Sequence, residues 1–197
     1  MNANDNINME YEARVMINEE QYLNVKNYYL SRYKNAEIIT NENTYFDTKD
    51  LYLTEHQMVL RLRKINDDKH ELTLKIQEEN GCLEINHDLT LIELDKLLND
   101  NEICGDEIIA KLSEVGVNLK DIKLITTLRT DRIEIPFDKY LLVIDKNYYN
   151  DKVDFNLEVE SSSKNYAENY LFLIISQFHI EYKKDYISKS RRAIYNL

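Results

Sequence analysis

Glu10-Tyr11-Glu12-Ala13-Arg14 and, near the other end of the chain, Leu157-Glu158-Val159-Glu160 are the stretches whose reading decides the fold. Successive side chains of a β-strand point to opposite faces, so Glu10, Glu12 and Arg14 share one face while Tyr11, Ala13 and Val15 share the other. The later stretch repeats the device with Glu158 and Glu160. Basic residues do the same in Leu60-Arg61-Leu62-Arg63 and in Leu72-Thr73-Leu74-Lys75. The apolar faces of such strands can pack on helices, and the charged faces must then meet water, one another or a ligand. Acidic and basic strand faces arranged around one lumen would make a site for metal ions and for a polyanion held by them.

The totals narrow the class. At 197 residues the chain suits one domain with a sizeable core. With 25 Lys+Arg against 36 Asp+Glu the net charge is −11, which argues against nonspecific binding to nucleic acid or anionic membranes. Three Gly and one Pro describe an ordered chain rather than linker material. Cys82 and Cys104 lack the spacing of a zinc knuckle or redox motif, so reduced thiols in a cytoplasmic protein are expected. The first residues show no basic segment followed by an apolar one, and no stretch reaches the roughly 20 apolar residues of a membrane helix.

A coarse pass predicts α+β. Asn18 followed by Glu19 and Glu20 predicts a capped helix to about Tyr33. Strands are predicted over Glu37 to Phe46, Met58 to Ile65, Glu71 to Gln77 and Cys82 to Leu89, with turns at Asn66-Asp67-Asp68 and Asn80-Gly81. Leu91 to Leu98 and Asp106 to Val115 have helical spacing, punctuated by Gly105 and Gly116. Leu124 to Pro136, Leu141 to Asp145 and Asp154 to Glu160 read as strands, Lys164 to Phe178 as a helix capped by the preceding serines, and Tyr186 to Tyr195 as a basic last segment. At least seven strands joinable as antiparallel neighbours predict a closed or nearly closed antiparallel β-barrel with flanking helices.

Taken singly, each charged motif has a plain reading. A chain this acidic produces about six pairs of acidic residues spaced two apart by chance, so neither pair alone marks a site. Arg61 and Arg63 could guard an exposed edge strand, and Lys75 could be a surface lysine. Asp145, at the end of the apolar run Leu141 to Ile144, reads as a turn or as a ligand. Arg132 shares parity with Glu134 opposite Ile133 and Ile135, which makes it the inward residue. Lys189 and Arg192 could belong to a charged tail. His56, His70, His87 and His179 show no metal-ligand spacing.

The ordered string resembles the CYTH family, the class IV adenylyl cyclases and thiamine triphosphatases, whose fold is the triphosphate tunnel. The family's opening Glu-x-Glu-x-Lys is matched by Glu10, Glu12 and Arg14, and its Tyr-Phe-Asp-Thr by Tyr45 to Thr48. Its Arg-x-Arg is matched by Arg61 and Arg63, followed by Lys75, by Glu84 after a Gly turn, and by Thr130-Asp131-Arg132. Asp145, Glu158 with Glu160, and Lys189 complete the match. The resemblance spans about residues 8 to 195 of a single domain over residues 1 to 197, and is closest to the small bacterial single-domain branch.

The resemblance implies a triphosphate tunnel metalloenzyme that hydrolyses a triphosphate, inorganic tripolyphosphate before thiamine triphosphate or a nucleotide. It implies Mg²⁺ or Mn²⁺ held by Glu10, Glu12, Asp145, Glu158 and Glu160, with catalytic roles for Glu10, Glu12, Arg14, Glu158 and Glu160. Substrate contacts fall to Arg14, Arg61, Arg63, Lys75, Glu84, Arg132, Lys189 and Arg192. The implied partner is a small-molecule triphosphate or polyphosphate, with no nucleic acid or membrane, for a monomer or homodimer. One departure is Arg14, where the family usually has lysine. A guanidinium keeps the positive charge but cannot give up a proton near neutral pH. The alternatives are therefore a class IV adenylyl cyclase and a noncatalytic triphosphate sensor.

Overall fold

A computed structural model describes residues 5–66, 69–79, 81–183 and 187–197. The turn positions Asp67, Asp68 and Asn80, and Tyr186 at the start of the basic segment, lie outside the described residues. In chain order the elements are β1 (Asn6–Ile17), α1 (Glu19–Arg32), β2 (Glu37–Asp47), α2 (Tyr52–Glu55), β3 (Met58–Ile65), β4 (Lys69–Gln77), β5 (Cys82–Asp88) and α3 (Leu91–Asp95). They continue with α4 (Asp106–Glu114), β6 (Lys123–Pro136), β7 (Tyr140–Tyr149), β8 (Lys152–Ser161), α5 (Lys164–Gln177) and α6 (Lys189–Tyr195). A π-helical turn over Lys96–Asp100 extends α3, and a 3₁₀ turn over Leu119–Asp121 precedes β6.

The strands close into an antiparallel barrel in the order β1-β5-β4-β3-β2-β6-β7-β8. Strand β1 makes the closure by pairing with two neighbours in succession. Asn6 to Glu10 face β5, and Tyr11 to Ile17 face β8. Its full length, four residues earlier and three later than the charged stretch, follows from this double duty.

The barrel is polar inside and apolar outside, and helices cover the outside. Val15, Leu157, Val159, Leu142 and Ile144 point outward into a core completed by Tyr22, Val25 and Tyr29 of α1 and by Ala167, Leu171 and Ile174 of α5. On the other flank Leu60, Leu62, Leu72, Leu74 and Ile85 pack with Leu53, Leu97, Ile108 and Leu112. A Leu or Ile buried this way contributes about 1.5–3 kcal/mol, so alternating strands leave their charged face to the lumen. Asn18 closes a capping box with Gln21 at the start of α1, and Ser163 caps α5 by accepting from the Tyr166 N–H.

Strand β7 corrects the reading of Asp145 as the end of a strand. It runs on to Tyr149, with Asp145 in the middle and fully buried. The apolar run stops there because alternate positions beyond Ile144 face a polar lumen. Both cysteines are free thiols. His87 is a buried structural residue whose Nδ1 lies 2.5 Å from Asp5 Oδ1 and whose Nε2 lies 3.1 Å from Glu93 Oε1. No described helix is long and apolar enough to cross a membrane.

Candidate active site: a charge-divided lumen

The lumen encloses a cavity of about 910 Å³. Its two charged walls follow from strand order: in this eight-strand ring β3, which carries Arg61 and Arg63, stands four strands from β8, which carries Glu158 and Glu160. The strongest concentration of anions therefore lies across the barrel from the arginine pair.

On the acidic wall, β1 and β8 place Glu12 directly opposite Glu160 and Arg14 directly opposite Glu158. Like charges directly opposed destabilise a sheet, so the Glu12/Glu160 rung is a local cost, offset in part by Arg14 3.6 Å from Glu12 and Arg132 4.0 Å from Glu160. Burial, reinforced by Glu10, Glu158 and Glu12 and opposed by Arg132, pushes the Glu160 carboxyl up to about 8. Burial and the Glu158 charge push Glu12 up as well. Glu10 behaves oppositely: burial raises it, but Lys75, 2.7 Å away, together with hydrogen bonding to Glu84 holds it at about 2. Lys75 also contacts Glu84 of β5.

Glu158 is 2 % exposed and surrounded by cations. Arg14 Nη1 donates to its Oε1 at 3.3 Å, Lys189 Nζ to Oε1 at 2.8 Å and Arg132 Nη2 to Oε2 at 3.1 Å. Asp145 accepts from Arg132 Nε and Nη2, both at 2.9 Å, and from Lys189. These cations hold both carboxyls below the ordinary range despite burial.

The basic wall is built differently. Arg61 is 8 % exposed, touches Thr73 Oγ1 at 3.4 Å, and keeps its Nε buried without a partner among the described residues. Arg63 Nε donates to Asn43 Oδ1 at 3.1 Å. No carboxylate pairs with either guanidinium among the described residues. Burial, with Arg61 and Arg132 nearby and only partly opposed by Tyr45 and by Glu71 across the ladder, pushes Arg63 down to about 9.

The structure brings together in one cavity Glu10, Glu12, Arg14, Arg61, Arg63, Lys75, Glu84, Arg132, Glu158, Glu160 and Lys189. Two residues stand elsewhere. Asp145 lies behind Arg132 with both oxygens engaged, and Arg192 turns to Asp154, with Nε 2.8 Å from Oδ2. Lys189 and Arg192 belong to α6, where residues three apart share a face but at different depths. Arg191, not Arg192, lines the cavity, as do Asn41 and Asn43 of β2, Glu134 of β6 and Lys164 at the start of α5. Glu134 was legible from its parity with Arg132. The helical residues carried no such signal, because strand parity does not extend into α5 or α6.

For a hard divalent cation, the donors of the acidic wall are of the right type, and the upward shifts of Glu12 and Glu160 are a cost that a cation would remove. Among the described residues, however, no group of three acidic, histidine or cysteine side chains stands in a ligating arrangement. Asp145 and Glu158, expected as ligands, are instead saturated by Arg132 and Lys189.

The fold and lumen define a tunnel-type β-barrel with arginines on one wall and carboxylates on the other. The CYTH domain family profile matches residues 8–194, and the chain belongs to that family. A Bacillus halodurans protein described as a candidate adenylate cyclase superposes with a TM-score of 0.86 at 25% identity, covering 94% of this chain and 97% of its own. HpAC1 from Hippeastrum, described as a candidate adenylyl cyclase with dominant triphosphatase activity, superposes at 0.79 with 17% identity, covering 95% and 96%. The PH1819 protein of Pyrococcus horikoshii OT3 superposes at 0.62 with 16% identity, covering 95% and 99%. Comparison with curated protein sequences returns no match.

Proposed function

We propose that this protein is a metal-dependent triphosphatase, with inorganic tripolyphosphate as its first substrate. The observation that carries the reading is the pair of buried Arg61 and half-buried Arg63, neither ion-paired to a carboxylate among the described residues, across the barrel from Glu12, Glu158 and Glu160. Buried charge without a counter-ion is costly, and a polyphosphate supplies the counter-ion in the bidentate geometry guanidinium favours. The lining combines charges and amides with Tyr11, Tyr45, Met58, Val59 and Leu141, and its charged part is sufficient to hold a phosphate chain. The triphosphatase activity that dominates in HpAC1 supports hydrolysis over cyclisation.

Glu10, Glu12 and Glu160 would hold Mg²⁺ or Mn²⁺. Such a cation, when bound, neutralises phosphate oxygens and lowers the pKa of water. Arg61 and Arg63 bind the phosphate chain and fix its position. Lys75, held between Glu10 and Glu84, marks the border between phosphate and carboxylates. Arg14 and Lys189 keep Glu158 ionised, which preserves negative charge on the acidic wall. Arg14, always protonated, acts by charge alone.

The test is phosphate release from tripolyphosphate, thiamine triphosphate and ATP with Mg²⁺, Mn²⁺ or Ca²⁺, with cyclic AMP measured in parallel. The expected result is metal-dependent release from tripolyphosphate exceeding that from ATP, with no cyclic AMP. Cyclic AMP as the main product would select the cyclase, and tight binding without turnover would select a sensor.

A further inference from the structure

Arg132 looks like a phosphate-binding residue, but its guanidinium is already occupied. Nε and one Nη2 proton go to Asp145, and the second Nη2 proton goes to Glu158. Only Nη1 remains, and it faces Glu134 Oε1 at 3.4 Å and Glu160 Oε1 at 4.0 Å. A guanidinium has five N–H donors, so this accounting leaves Nη1 as its one exchangeable edge. The contacts to Asp145 and Glu158 are short and buried, whereas the Glu134 contact is long, and its side chain is 25% exposed.

Local structure does not account for Glu134. It sits two residues before the end of β6, directly opposite Glu37 of β2 in the ladder, a like-charge pairing that costs stability. It takes no other hydrogen bond among the described residues. Among the described residues its one side-chain hydrogen bond or ion pair is with the edge of Arg132 that a phosphate oxygen would use.

We propose that Glu134 is a specificity-determining residue, an internal stand-in for phosphate that occupies the free edge of Arg132 until a highly charged phosphate chain displaces it. This rests on the proposed function, since it assumes that the lumen binds phosphate. A single phosphate, satisfied by Arg61 and Arg63, gains little by evicting Glu134. A tripolyphosphate spanning the lumen reaches Arg132 and replaces a long, partly solvated contact with a charge-assisted one. Glu134 thus lowers the affinity of chains long enough to reach Arg132 and leaves shorter ones, held by Arg61 and Arg63, nearly unaffected.

The test is calorimetric binding of phosphate, diphosphate and tripolyphosphate to the wild type and to E134Q and E134D, in metal-free buffer so that turnover plays no part. E134Q keeps the shape and removes the charge. It should bind tripolyphosphate about tenfold more tightly and phosphate and diphosphate no more than about threefold more tightly, widening the gap between them, while E134D keeps the wild-type ratio. Melting curves for all three forms check that the fold is retained. Wild-type binding with an unchanged or narrowed ratio in E134Q overturns the role of Glu134 alone. No binding of any of the three anions by any form overturns this role, while metal-dependent phosphate release from tripolyphosphate would leave the proposed function standing.

Discussion

At the scale of single residues, the lumen stores electrostatic cost in identifiable carboxyls. Glu160 titrates near 8 in the folded chain against about 4.5 in its ordinary state. Between these values the unfolded chain has lost the proton that the folded chain retains, so the folded state binds more protons and stability falls as pH rises. The metal-free protein should therefore lose melting temperature from about pH 4.5 to 8, and Glu160→Gln should flatten that part of the curve. A variant with the full wild-type slope would show that Glu160 is not the group responsible. Arg14 bridges Glu158 at 3.3 Å and Glu12 at 3.6 Å. If it acts by charge alone, Arg14→Lys should change turnover by no more than about tenfold, roughly 1.4 kcal/mol of barrier. A much larger gain on steady-state assay would mean that a lysine here handles protons. Strand parity made these inward residues readable in the sequence. Their pairing was not readable, because whether Asp145 serves a metal or an arginine depends on β6 and α6 arriving beside it, and no local pattern records that.

At the scale of elements, part of the family string proves to be architecture. Asp47, in the Tyr-Phe-Asp-Thr segment, is 1 % exposed and ends β2 by accepting from Thr48 N–H at 2.7 Å, Leu53 N–H at 2.8 Å, and Thr54 N–H and Oγ1 at 2.9 and 2.7 Å. It stitches the β2 corner to α2. In Asp47→Asn an amide NH₂ would face the Thr54 donors, so a loss of about 3 kcal/mol is expected in urea unfolding, with anion binding retained at low temperature. Stability within about 0.5 kcal/mol of wild type would mean that the corner is held by other contacts. The same stretch shows what periodicity misses. Helix α2 has four residues and was not predicted, since it is set by Asp47 and by the left-handed Leu51, not by a repeating apolar face. Strand β3 matched its expected bounds because leucines and arginines alternate throughout it, whereas β7 was cut short because its inward positions change from apolar to polar midway.

At the scale of the whole molecule, the barrel separates two jobs by face. Helices cover its apolar outside, which supplies stability, and the inside is left free to hold charge that would be unfavourable in an ordinary core. That division was legible in the sequence because a strand with leucine on one face and arginine on the other has few other solutions. The closure order was not, because it depends on β1 pairing with both β5 and β8. Closure is what sets arginines and carboxylates four strands apart across one cavity. The central claim is that this lumen holds a phosphate chain on the arginine side and a divalent cation on the acid side. A crystal structure of the protein with tripolyphosphate and Mn²⁺, using manganese anomalous scattering, tests it most directly. The account predicts phosphate density at Arg61 and Arg63 and an anomalous peak beside Glu10, Glu12 and Glu160. Phosphate and manganese found only on the outer surface, with water alone in the lumen, would contradict it.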